Sequence, residues 1–372
     1  MIIKGKIFGT NADCLTIQGD KIIDIGKEID GEVLDFGNML VLPGFIDIHT
    51  HGAMGKDTMD GDDIAMQTIK KHMADHGVTS YCPTTVTMPA ENICMSAKAA
   101  MRNRLGEGAE ILGMHLEGPF YAEAYKGAQN PAYLRLPDVS LMQEILEGSE
   151  HFIRIVSLAP ELKGASDVIR FLAENGVVVS AGHSAADYDT VMNAINYGLS
   201  HITHLYNAQS GLNHRTPNVT GAALSSKKVT AELICDGLHV HPAAARIAIA
   251  AKGVDRIALI SDSISAAGMP DGTYSLGGQR VTVKEGVATI DNGTIAGGIS
   301  NVFDCFCNVV RWGISIEDAV RMASENPARI VGATRKGKIR VGYDADLIVV
   351  NDRLELVAVI VRGQVWMNHY SK

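Results

Sequence analysis

The sequence predicts an α/β protein: a (β/α)8 TIM-like barrel carrying a small β-sandwich domain formed by both chain ends. Three observations predict it. Eight short apolar runs recur along the middle of the chain, stretches of helical periodicity lie between most of them, and the two ends alternate in short strands with Gly-Asp and Arg-Gly turns.

The runs are GFIDIHTH (44–51), VTSYCPTT (78–85), ILGMHLEGP (111–119), IRIVSLAP (153–160), VVVSAGHS (177–184), HITHLYNA (201–208), TAELICDG (230–237) and RIALISDS (256–263). Short runs without apolar–polar alternation are what a parallel strand buried on both faces requires. Between them, residues 63–77, 166–175 and 186–197 carry helical spacing and close on glycine or lead into Gly-Leu. Eight strand-helix units over residues 44–337 therefore suggest a closed barrel. Residues 1–43 and 338–372 are expected to pair as the small β domain. The segment 273–298 reads as hairpins inserted after the eighth strand, and 315–331 as a late helix with Ser315 as N-cap and Asp318 in its first turn.

The formal net charge of −9 and the lack of a long basic run argue against a general nucleic-acid binder, which needs a basic stripe to displace counterions. A small-molecule substrate is the expected partner, with no nucleic acid and no membrane. Six scattered cysteines form no CxxC pair and are expected as reduced thiols; Cys305 and Cys307 are expected to pack in a helix. The amino-terminal residues lack an apolar signal core, and no run approaches the length of a membrane span, so a cytoplasmic location is expected.

Chemistry in such a barrel sits where strands meet their following loops. Five strand ends here carry ligand-type residues: His49 and His51 on the first, Glu117 on the third, His183 on the fifth, His204 on the sixth and Asp262 on the eighth. In a strand, residues i and i+2 face the same side, so His49 and His51 point toward one place. Each residue alone has an ordinary explanation; recurrence at one face of the barrel does not. Imidazoles and carboxylates suit zinc, with iron(II) the alternative. Asp262 serves in this reading both as a ligand and as the acid/base that takes a proton from metal-bound water and returns it to the leaving group. His72, His76, His115, His201, His214 and His241 fall away from the expected positions and are read as structural or solvent-facing.

The motifs PGFIDIHTHG (43–52), HLEGPF (115–120), KGAQNP (126–131), AGHS (181–184), THLYNA (203–208), DGLHVHP (236–242) and ISDSISAAG (260–268), in this order, resemble the amidohydrolase superfamily, and more narrowly its N-acetylglucosamine-6-phosphate deacetylases. The resemblance implies that Glu117, His183 and His204 hold the principal ion, with Asp262 the catalytic acid/base. His49 and His51 make a second ion plausible, with Glu117 bridging. It further implies that Asn207, the backbone at Ala208 and His239 meet the sugar phosphate, and that Arg215 reaches the phosphate in a neighbouring subunit, hence a homodimer. Where some relatives have a histidine beside the acetyl carbonyl, this sequence has Gln129, which still offers an amide hydrogen to a developing oxyanion.

The implied activity is metal-hydroxide attack on the acetamide of N-acetyl-D-glucosamine 6-phosphate, giving D-glucosamine 6-phosphate and acetate in amino-sugar catabolism. The alternatives are a deacetylase for the galactosamine epimer or another amidohydrolase reaction, and, outside enzymes, a non-catalytic barrel of the same fold.

Overall fold

The computed structural model describes residues 1–370; residues 371 and 372, the last of the expected small domain, lie outside the described residues. The eight apolar runs become the strands β1 (Phe45–Thr50), β2 (Val78–Pro83), β3 (Met114–Glu117), β4 (Ile153–Leu158), β5 (Val178–Ala181), β6 (Leu199–Ile202), β7 (Thr230–Ile234) and β8 (Ile257–Ile260). Strands β3 to β8 pair in parallel as one sheet, and β1 pairs in parallel with β2. Two bridges close the ring, Thr84 with His115 between β2 and β3, and Thr50 with Ser263 between β1 and the end of β8. Ile46, Ile48, Cys82, Ile155, Ile234, Ala258 and Ile260 form one apolar cluster with Ala328 and Val331. A cluster drawn from five different strands of a closed ring can only fill its interior.

The helices α1 (Asp63–Asp75), α2 (Ala90–Arg102), α3 (Val139–Gly148), α4 (Ala165–Glu174), α5 (Tyr188–Tyr197), α6 (Asn218–Ser225), α7 (Pro242–Lys252) and α8 (Val302–Arg311) follow the strands in turn. Their apolar residues recur at helical spacing: α4 buries Ala165, Val168, Ile169 and Leu172, all on one face. Five of the eight, α1, α3, α5, α7 and α8, start on a side-chain cap, as where Asp187 accepts the Thr190 N–H at the head of α5. Third-strand pairing is interrupted at Gly113, whose φ of +147° and close approach to Phe152 and Arg154 leave no room for a Cβ.

The late helix begins on Ser315, whose hydroxyl accepts the Asp318 N–H, and it widens into a π turn over Arg321–Glu325 just ahead of Pro327. A proline lacks the N–H that would continue α-type pairing, and a π turn is one way to absorb the gap. The two termini combine in one seven-stranded sheet, ordered 364–368, 356–361, 347–350, 33–43, 2–7, 14–18 and 21–25. The expected sandwich is thus one continuous hydrogen-bonded sheet. One face encloses its own core of Ile3, Ile7, Leu15, Val41, Leu347 and Val349, while Ile348, Val350 and Val359 from the other face join the barrel's apolar cluster. The insertion after β8 is a three-stranded antiparallel sheet, Gly272–Leu276, Gln279–Lys284 and Val287–Thr289. No helix among the described residues is long and apolar enough to cross a membrane.

Candidate metal centre and substrate pocket

The carboxyl-terminal strand ends converge as expected. Three of the converging residues, His183, His204 and Asp262, have positive φ values of 48°, 26° and 49°. A non-glycine residue pays for the left-handed region, and such strain persists where the surroundings over-determine it. Here it turns the chain off each strand so that the side chain faces the barrel axis.

Two clusters of these strand-end residues result, both buried, and His49 also groups with His115 and Glu232 in a third buried set. In the first, Glu117 Oε1 lies 3.1 Å from His183 Nε2 and 3.1 Å from His204 Nε2, and the two imidazole nitrogens are 3.1 Å apart. In the second, Asp262 Oδ1 lies 3.1 Å from His51 Nε2 and 3.4 Å from His49 Nε2. Glu117 stands between them, with Oε2 3.6 Å from His51 Nε2 and Oε1 3.5 Å from His49 Nε2.

The outer nitrogen of each ring identifies the tautomer. His183 Nδ1 faces the Tyr125 carbonyl at 2.9 Å, His204 Nδ1 the Asn207 carbonyl at 3.1 Å, His51 Nδ1 the Thr84 carbonyl at 3.2 Å and His49 Nδ1 the Glu232 carboxylate at 2.9 Å. Each partner is an acceptor, so each Nδ1 carries the hydrogen and each Nε2 presents a lone pair to the centre. Lone pairs 3.1 Å apart repel unless a cation lies between them. Donors about 2.0–2.1 Å from a tetrahedral zinc stand about 3.3 Å from one another. His49 Nε2, moreover, is buried with no hydrogen-bond partner. The donor set therefore fits a divalent metal ion.

The charges agree. Burial opposes ionisation of Glu117, but His183, His204 and His49 outweigh it and hold the carboxyl well below its usual range. Burial likewise works against the His49 cation, yet Glu232, Asp262 and Glu117 together lift its pKa to about 10. For Asp262, burial is outweighed by His49 and His51, and the pKa is lowered. The pocket favours positive charge among these carboxylates, whether a proton or an ion.

Above the clusters opens a cavity of about 500 Å³, lined by His51, Glu117, His183, His204 and Asp262 together with Gln129, Asn207, Ala208 and His239. Gln129 is held at both ends of its amide: Oε1 accepts the Thr87 N–H at 2.7 Å, and the NH2 donates to Glu117 Oε2. His239 Nδ1 lies 2.7 Å from Asp236, which offsets the burial of the ring and raises its pKa. Asn207 folds its amide toward the carbonyls of His204 and Leu205, at 3.3 and 3.4 Å. Arg215 is exposed on a loop and is not among the cavity-lining residues.

Four contributors escaped the sequence reading: Glu232 beneath His49, Asp236 beside His239, and Asn292 and Thr294 of the insertion, which line the cavity. A lone glutamate inside the run TAELICDG was the visible sign of the first. His115 and His201 are fully buried; His115 is bonded to the Ile48 carbonyl and Ser157, and His201 to Thr230 and Glu232. His214 and His241 are exposed, and Cys305 and Cys307 pack in α8.

The chain is 39% identical over 333 residues to the N-acetylglucosamine-6-phosphate deacetylase of Bacillus subtilis, covering 88% of this chain and 84% of that protein. It is 37% identical over 349 residues to the N-acetylgalactosamine-6-phosphate deacetylase of Escherichia coli O157:H7, covering 93% and 92%. Among solved structures, a mutant N-acetyl-D-glucosamine-6-phosphate deacetylase from Mycobacterium smegmatis in complex with N-acetyl-D-glucosamine-6-phosphate superposes with a TM-score of 0.93 at 32% identity, covering 99% of both chains. Residues 40–366 match the amidohydrolase family. By this match and by these relatives, the chain belongs to the amidohydrolase family.

Proposed function

We propose that this protein is a metal-dependent deacetylase that hydrolyses N-acetyl-D-glucosamine 6-phosphate to D-glucosamine 6-phosphate and acetate. The observation that carries the reading is the position of Asp262, which lines the cavity and stands 3.1 Å from His51 Nε2, beside the Glu117, His183 and His204 cluster. In our reading these three residues would hold the principal ion, zinc with iron(II) the alternative, and His49, His51 and Asp262 would offer a second subsite, with Glu117 standing between the two. A divalent ion held there supplies Lewis acidity and lowers the pKa of water.

The chain's own residues account for the proton transfers. Asp262, ionised by its neighbours, accepts the proton of the attacking water as oxygen adds to the acetyl carbonyl. Gln129 has one amide hydrogen committed to Glu117 and a second left for the carbonyl oxygen, where negative charge develops. Asp262 then delivers its proton to the sugar nitrogen as the C–N bond breaks, so that the amine leaves neutral and acetic acid remains, which gives up its own proton to become acetate.

His239, whose cation Asp236 favours against the burial of the ring, meets the substrate phosphate together with Asn207 and the backbone at Ala208. Arg215 completes that site from a second subunit, which makes the working form a homodimer. We assign residues 44–337 to the catalytic barrel and the terminal segments to the small β domain, and place the reaction in cytoplasmic amino-sugar catabolism. The near-equal similarity to a galactosamine-6-phosphate deacetylase supports the epimeric substrate as the second reading.

Acetate release decides between them. The purified protein is assayed with the 6-phosphates of N-acetylglucosamine and N-acetylgalactosamine and with unphosphorylated N-acetylglucosamine, before and after chelation. Fast, chelator-sensitive release from the first substrate alone is expected. Faster turnover of the galactosamine compound selects the second reading, and no release from any of the three overturns both.

A further inference from the structure

Glu232 on β7 is fully buried in the barrel interior, and no step above uses it. A buried carboxylate is costly unless hydrogen bonds satisfy it. Glu232 Oε2 faces His49 Nδ1 at 2.9 Å and accepts the backbone N–H of His204 at 3.0 Å, while Oε1 faces His201 Nε2 at 3.2 Å. It thereby touches one member of each metal-ligand cluster: the side chain of His49 in one and the backbone of His204 in the other. The contact with His49 has a chemical consequence. An ionised carboxylate cannot donate, so Nδ1 must carry a hydrogen, which leaves Nε2 as the nitrogen that can bind an ion. That Nε2 lies 3.4 Å from Asp262 and 3.5 Å from Glu117 and has no hydrogen-bond partner, so only a cation satisfies all three groups.

We propose that Glu232 is the positioning residue that commits His49 to its metal-binding tautomer, and that occupancy of the second subsite, formed by His49, His51 and Asp262, depends on it. The inference rests on the reading that Glu117, His183 and His204 hold the first ion. Replacing Glu232 by glutamine keeps the shape and removes the charge. The amide oxygen must stay on the His204 N–H, so His49 Nδ1 keeps only a neutral acceptor, which holds the ring hydrogen on Nδ1 less firmly and leaves Nε2 a poorer ligand.

The test is metal binding, independent of any substrate. Apo protein is titrated with zinc, and bound zinc per chain is counted by elemental analysis. The wild type is expected to take up two ions, and Glu232→Gln to keep the first at wild-type affinity while binding the second about 10- to 100-fold more weakly. A merely structural role would lower both affinities together and would not split them. If Glu232→Gln does not fold, Glu232→Asp, which keeps the charge but withdraws it by one methylene, is read by the same titration and is expected to weaken the second ion selectively. Two ions at wild-type affinities in either folded variant overturn the inference, as does parallel weakening of both. A wild type that binds a single ion also overturns it, leaving the reading of the first site intact; one that binds none overturns both.

Discussion

Gln129 and Glu117 are joined by a hydrogen bond in which the amide donates and the carboxylate accepts. The orientation of the amide is decided at its other end, because the Thr87 N–H at 2.7 Å can meet only the carbonyl oxygen. Gly118, at a φ of +83°, makes the approach possible: a Cβ there would lie 2.2 Å from the Thr87 hydroxyl. Gln129 thus steadies the carboxylate shared by both clusters while keeping one hydrogen for the substrate.

Replacing Gln129 by alanine should therefore act twice. The fixed orientation of Glu117 is lost, weakening the principal ion by about 10-fold or more, as loss of a partner behind a ligand commonly does. The oxyanion donor is lost as well, and turnover should fall by about 10²-fold even at saturating metal. Steady-state kinetics with and without added zinc separates the two effects. Unchanged turnover would refute the role of Gln129 in the reaction.

Asp262→Asn keeps the size of the side chain and abolishes its basicity. The Glu117, His183 and His204 cluster does not include this residue, so the principal ion should stay bound. Turnover should fall by at least about 10²-fold, the usual worth of a positioned general acid/base. Metal analysis and acetate release on the same sample make the comparison, and near-normal release would sink the mechanism.

The barrel was legible because buried parallel strands announce themselves as continuous apolar runs, and because a residue's place at a strand end already says which face of the barrel it occupies. His49, Glu117, His183, His204 and Asp262 could be found for that reason. Partners across the barrel are a different matter, since spacing along the chain carries no information on which strands' side chains meet. Glu232 is 183 residues from His49, and nothing local links them. The terminal sheet is similar: alternation marks its strands, but the parallel pairing of residues 2–7 with 33–43 depends on a long connection. Arg215 lies beyond both kinds of argument, because its proposed target belongs to another subunit.

That proposal for Arg215 is open to a direct test. Loss of a charged hydrogen bond to phosphate costs about 1.5–3 kcal/mol, so Arg215→Ala should raise KM about 10- to 100-fold with little change in kcat. Mixing Arg215→Ala with Asp262→Asn under conditions of subunit exchange makes dimers in which one site has both residues intact. Activity at low substrate above that of either parent is expected; no gain would place Arg215 in its own subunit's site or in none.

A pH effect on stability is expected away from the metal clusters. His72 of α1 is 7% exposed, and its ring packs so closely on Gly268 that a Cβ there would stand 2.8 Å from Cε1. Burial disfavours the imidazolium, and the nearby His76 adds to this, pushing the pKa down to about 4. The unfolded chain takes up a proton near pH 6.5, which the folded chain resists until much lower pH. Between these values the unfolded state binds more protons, so stability present above about pH 6.5 is lost as the pH falls toward about 4. The loss attributable to this group is about 2 kcal/mol by pH 5. His72→Gln does not titrate, so its unfolding midpoint should fall less than the wild type's between pH 7 and pH 5. Other groups titrate in both proteins and cancel in the comparison. Equal falls in the two would mean that the folded structure accommodates the His72 cation.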